Sequence, residues 1–143
     1  MATILRIALA VVLAFCVRTA AADPIRIEHP DQLCDEVMRS LAKSGSAEAA
    51  NIIAKTVGQP TAADALQKTL QIFDGKNFDF VKTVIDKEYN NALRQIVVYA
   101  HIEGLGFVYF RFNFKMTSTG WILANFNLKN EINELFPKDF TDR

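Results

Sequence analysis

From residue 93 to residue 129 the side chains alternate between apolar and polar with almost no interruption, a period of two that only extended strands produce. Glycines at 104, 106 and 120 punctuate the run, so it divides into strands over 93–103, 107–117 and 121–129. Three-residue loops, Gly104-Leu105-Gly106 and Ser118-Thr119-Gly120, keep apolar opposite apolar. With Thr117 facing Trp121, the pairs Met116/Ile122, Phe114/Ala124, Phe112/Phe126 and Phe110/Leu128 follow. With Glu103 facing Phe107, Ile102/Val108, Ala100/Phe110, Val98/Phe112 and Ile96/Phe114 follow. A two-residue loop would instead set Phe112 against Asn125.

This register sorts the side chains into two faces. One carries Ile96, Val98, Ala100, Ile102, Val108, Met116, Ile122, Ala124 and Leu128 around Phe110, Phe112, Phe114 and Phe126, and supplies a core, or the wall of a cavity beneath covering helices. The other carries Gln95, Val97, Lys115, Trp121 and Leu123 among Tyr99, His101, Tyr109, Arg111, Asn113, Asn125 and Asn127. Expected rows are Tyr99–Arg111–Asn127, Val97–Asn113–Asn125 and His101–Tyr109–Lys129. Aromatics, amides and an arginine on an uncovered face resemble a protein interface or a wet binding surface, so those last seven residues are the candidate ligand- or partner-binding site. Arg111 can clamp a carboxylate or stack within a symmetric dimer, or simply lay its stem over aromatics with a solvated head.

The first half has helical spacing. After an extended lead-in, "DPIRIEHP", Asp31 stands where an N-cap would, ahead of Leu33, Cys34, Val37, Met38 and Leu41. Ser46 opens a second helix through Ala50, Ile53 and Ala54, without a capping-box partner, since position 49 is alanine. Pro60-Thr61 opens a third, lined by Leu66, Leu70 and Phe73 and stopped by Asp74-Gly75. Residues 78–89 fit both periods and are read as an edge strand or a short helical turn. A last helical turn, with Ile132, Leu135 and Phe136 inward, is expected in 130–140.

Residues 1–22 have the form of an export leader: Arg6, an apolar run from Ile7 to Val17 and Ala20-Ala21-Ala22 before a cleavage point at Asp23. The run falls short of the roughly twenty residues that span a bilayer. The mature chain, 23–143, is therefore expected to be a single periplasmic or secreted domain without a membrane anchor. Losing Arg6 and Arg18 with the leader leaves 14 basic and 16 acidic residues, a net charge of −2, which makes nucleic acid a poor partner. Cys34 is then the sole cysteine, expected as a buried apolar residue. His29 and His101 lack the spacing of a metal site, and no motif asks for a cofactor. His101 and Glu103, two apart on one strand face, are placed to touch.

Helices followed by a long antiparallel sheet, with "FVYFRFNFKMTSTGWILANFNLK" as its hairpin, resemble the nuclear-transport-factor-2-like group, also described as a cystatin-like α+β cone. The resemblance covers residues 31 to about 136. It implies an α+β fold with N-terminal helices packed on one face of a curved antiparallel sheet, and frequently a homodimer formed through the outer sheet face. This architecture hosts isomerases and dehydratases as well as carriers and dimerisation modules. The strand residues facing the expected cavity include no Asp, Glu, His or Tyr, so a non-enzymatic module binding a protein partner or a small apolar ligand is expected. An isomerase- or dehydratase-type enzyme acting on a small apolar ligand is the alternative.

Overall fold

The structure, a computed structural model, describes residues 22–130. The leader up to residue 21 and the expected turn after residue 130 lie outside the described residues. Three helices, α1 (Pro30–Lys43), α2 (Ser46–Thr56) and α3 (Ala63–Leu70), precede four strands, β1 (Phe78–Tyr89), β2 (Leu93–Ile102), β3 (Gly106–Thr117) and β4 (Gly120–Lys129). The strands form an open antiparallel sheet in the order β1-β2-β3-β4. The coarse expectation of an α+β fold therefore holds.

Each helix follows from local chemistry with one tertiary addition. Pro30 occupies the first turn of α1, where its missing N–H costs nothing, and Asp31 sits beside it in the first turn rather than at the cap, which is His29. Leu33, Cys34, Val37, Met38 and Leu41 make the buried stripe. Gly45, at φ 98°, turns the chain into α2. The Ser46 backbone N–H and hydroxyl both donate to the Asp74 carboxylate, each at 2.7 Å, so the cap of α2 arrives from 28 residues away. The expected third helix is α3 flanked by 3-10 turns at Pro60–Ala62 and Gln71–Phe73, with no side-chain cap from Thr61.

The sheet registers correct the expected pairings. Between β2 and β3 the pairs are Ala100/Val108, Val98/Phe110 and Ile96/Phe112, a shift of two that preserves every face. The loop closes one residue early because Leu105 N–H bonds Ile102 C=O, while Glu103 N–H is already taken by Asn77 C=O. Between β3 and β4, Phe112/Phe126 and Phe110/Leu128 pair as expected. Nearer the turn, Thr117 faces Gly120 across a two-residue loop, and Phe114/Leu123 and Met116/Trp121 replace the expected pairs. The Thr117 hydroxyl stabilises that loop by accepting from Thr119 N–H and donating to Gly120 C=O. A register shift between Asn113 and Phe114, with Ala124 left out of the ladder, restores the phase.

Trp121 and Leu123 consequently turn into the core, at 9% and 2% exposure, and were expected outside. Ile122 takes the outer position opposite Lys115, and Met116 lies at the exposed margin of the core face. Phe110, Phe112 and Phe114 have no exposed surface, and Phe126 packs against them, tilted 5.0 Å from Phe112. Cys34 is buried as expected, and burial pushes its thiol pKa far up, so it stays protonated.

The two sheet edges differ. The lead-in bonds α2 through Ile25 N–H to Thr56 C=O, then pairs Ile27 with Trp121, covering the start of β4. On the other side β1 is an edge strand, the first of the two readings given to 78–89, with nine of its twelve residues exposed. Among the described residues no strand pairs with its outer edge.

Candidate functional site

The helices pack on the face that holds Ile96, Val98, Phe110, Phe112 and Phe114, so the opposite face is the candidate surface. Strand register arranges it as a grid. Its first row is Phe80, His101 and Phe107; its second is Lys82, Tyr99, Tyr109 and Lys129. Ile85, Val97, Arg111 and Asn127 form the third, and Lys87, Gln95, Asn113 and Asn125 the fourth. Tyr89, Leu93, Lys115 and Ile122 close it. All seven candidate residues share this face. The two-residue shift between β2 and β3 nevertheless sets Arg111 beside Val97 rather than Tyr99, pairs Tyr99 with Tyr109, and places Gln95 beside Asn113.

The upper rows form a ring cluster. Tyr99 stacks on Phe107 at 5.1 Å and 16°, tilts against Tyr109 at 5.2 Å and meets the edge of Phe80 at 5.9 Å. His101 lies 4.8 Å from Phe107. These offset and edge geometries follow the ring quadrupole, which disfavours direct face-to-face stacking. Phe80 and Phe107 are about half exposed, at 49% and 50%, so the cluster presents apolar surface to solvent. Desolvation, with the neighbouring Tyr109, pushes the Tyr99 phenol pKa upward. The histidine's carboxylate partner is Asp79, at 3.1 Å from Nδ1, rather than the expected Glu103. Asp79 reaches it from an irregularity in β1 between Phe78 and Phe80.

Below the rings the face is polar and ordered. Gln95 donates to Asn113 at 3.0 Å, and Asn113 donates to Asn125 at 2.7 Å, with Asn127 sharing the same Asn125 oxygen at 3.3 Å. This amide chain ties β2, β3 and β4 together and holds their side chains in one arrangement. Between rings and amides, Val97 is fully buried, flanked across the strands by Ile85 and Arg111. Burial holds the Arg111 guanidinium below its ordinary range, and its Nε is closed off from solvent. The arginine is thus partly built into the surface rather than extended from it.

Among the described residues, charge on this face is one-sided. The grid holds five cations, Lys82, Lys87, Arg111, Lys115 and Lys129, and no carboxylate, with Asp79 at its margin. The described residues carry twelve cations and twelve anions, so the remainder holds seven of the first and all twelve of the second. Phe80, Lys82, Lys87 and Phe107 were not among the residues singled out from sequence. The alternation Phe80, Lys82 in the ambiguous segment is the signal that points to the first two.

Elsewhere, Arg94 makes a bidentate pair with Asp86, both contacts at 2.8 Å, and lies 3.8 Å from Asp31 of α1. This cluster fastens β1 and β2 to the start of α1. An open recess beside the α2 cap is lined by Lys43, Gln67, Asp74 and Lys76, and its carboxylate is already engaged by Ser46. Among the described residues no three His, Cys, Asp or Glu converge on a common point, and no helix is long and apolar enough to cross a membrane.

No protein-family model matches the chain, and no curated protein matches it.

Proposed function

We propose that this protein is an exported, non-enzymatic binding module with the cone of the nuclear-transport-factor-2-like group, working through the uncovered face of its sheet on a protein partner. The observation that carries this function is the ring cluster of Phe80, Tyr99, His101, Phe107 and Tyr109, whose Phe80 and Phe107 are half exposed, with Arg111 in the neighbouring row of the face. Contiguous exposed apolar surface marks sites of association, and aromatic and arginine side chains supply most binding energy at them. Helices followed by an antiparallel meander support the fold assignment. Phe110, Phe112 and Phe114 are packed rather than open to solvent, which favours the outer face over the helix side for binding. A second copy docked face to face would oppose five cations with five, so charge favours an unlike partner over a homodimer.

The test is site-specific photo-crosslinking in the producing cell, with a benzophenone amino acid at position 107 and, as control, at exposed Lys68 on α3. A discrete protein adduct at 107 and none at 68 is the expected result. Adducts at both positions or neither would refute the surface, and an adduct of twice the chain mass, with a dimer in light scattering that Arg111→Glu dissociates, would assign it to self-association.

A further inference from the structure

Given that the outer face is the binding surface, its chemistry also names the class of partner. β1 is a twelve-residue edge strand whose outward side chains run Phe80, Lys82, Ile85, Lys87, Tyr89, apolar and cationic in alternation. The register is irregular at Phe78/Phe80 and Thr83/Ile85, which leaves Phe80–Thr83 and Ile85–Tyr89 as regular runs. An uncovered edge offers backbone N–H and C=O groups in a row, and another extended polypeptide matches that row group for group in place of water. The opposite edge is partly closed by Ile27, so among the described residues the sheet has one long open side, and it borders the ring cluster through the Phe80–Tyr99 contact.

We propose that the partner is an acidic polypeptide segment that adds to β1 as an extended strand, its outward residues alternating apolar and carboxylate. Directly opposed side chains on neighbouring strands attract when their charges are opposite and repel when they are alike. Carboxylates then fall opposite Lys82 and Lys87, and apolar residues opposite Phe80, Ile85 and Tyr89. Lys129, Arg111 and Lys115 extend the positive field across the rest of the face and steer such a segment toward it. A second copy of the chain does not satisfy this pattern. Antiparallel self-pairing that sets Phe80 against Tyr89 also sets Lys82 against Lys87, twice in a symmetric dimer. A membrane surface meets the charge but leaves the edge groups of β1 unpaired.

The experiment uses the full chain and a fluorescein-labelled peptide, Phe-Thr-Glu-Thr-Val-Thr-Glu-Thr-Phe, followed by fluorescence anisotropy and by hydrogen exchange of the β1 amides. The peptide is expected to bind, to slow exchange within residues 80–89, and to lose affinity as salt is raised. Replacing its glutamates with lysine should abolish binding. The Lys82→Glu/Lys87→Glu double variant should weaken binding about tenfold or more, while Lys68→Glu, the same charge change on α3, should leave it unaltered. Both variants change exposed positions, and circular dichroism is the check that they fold. Absent binding, indifference to the charge of either partner, or protection that misses β1 overturns the inference. So does binding to phosphatidylglycerol vesicles without peptide binding. A crosslink at position 107 with no peptide binding refutes the acidic strand while the binding face stands; failure of both removes both.

Discussion

The cap of α2 sets up the sharpest stability prediction. Asp74→Ala removes the acceptor of both the Ser46 N–H and the Ser46 hydroxyl, and Ser46 is only 1% exposed. Losing an N-cap costs about 1 kcal/mol, within a range of roughly 0.5–2. Leaving a buried donor without an acceptor costs about 1–3 kcal/mol more. Because Asp74 itself is exposed and water can reach the vacated side, a total of about 2–4 kcal/mol is expected. For a chain of this length that corresponds to a fall in Tm of about 6–20 °C. Urea unfolding followed by circular dichroism should show a lower midpoint at constant slope. Asp74→Asn keeps one acceptor oxygen and the turn preference before Gly75, and should cost about half as much. A double-mutant cycle with Ser46→Ala should return a coupling of about 1 kcal/mol. Loss of less than about 0.5 kcal/mol in Asp74→Ala, or strict additivity with Ser46→Ala, would refute the long-range cap.

Two further outcomes follow from the packing and the charge pairs. Phe112→Ala, at a fully buried position between Ile96 and Phe126, should cost about 3–5 kcal/mol in the same urea assay, and a loss under about 1 kcal/mol would place Phe112 outside the core. The hydrogen bonds from Arg94 hold the Asp86 carboxyl below its ordinary range, against the opposing effect of its partial burial. A depressed folded pKa stabilises above the ordinary aspartate range and loses that contribution as pH falls through the folded value. Asp86→Asn should therefore cost about 1 kcal/mol near neutral pH, since the pair is still reached by solvent, Asp86 more than Arg94. The gap should close as pH falls below about 4; a gap unchanged at lower pH would refute the pairing.

The site was partly legible before the fold was known. Tyr99, His101, Tyr109, Arg111, Asn113, Asn125 and Asn127 share a face in sequence and in structure, because alternation along a strand is local geometry. Their neighbours across the sheet were less legible. Placing Tyr99 beside Arg111 depended on where the β2–β3 loop closes, and that was decided by Asn77, which engages Glu103 N–H from outside the hairpin. Trp121 and Leu123 point inward because the Thr117 hydroxyl holds a two-residue turn and a bulge repairs the phase downstream. Lys82 and Lys87 were missed as site residues because β1 is exposed on both faces, and an edge strand that buries neither face has no reason to keep a single period.

By itself the sequence determined that strands over 93–129 present one apolar face, that amphipathic helices precede them, and that Phe110, Phe112 and Phe114 lie inside. Backbone sterics and burial dictate these properties within each segment. Only the tertiary structure decided that Asp74 caps α2, that five cations gather on one sheet face, and that, among the described residues, one edge is partly closed by Ile27 while β1 stays open. Those features depend on which backbone groups and charges from distant segments meet, and no period along the chain encodes that meeting.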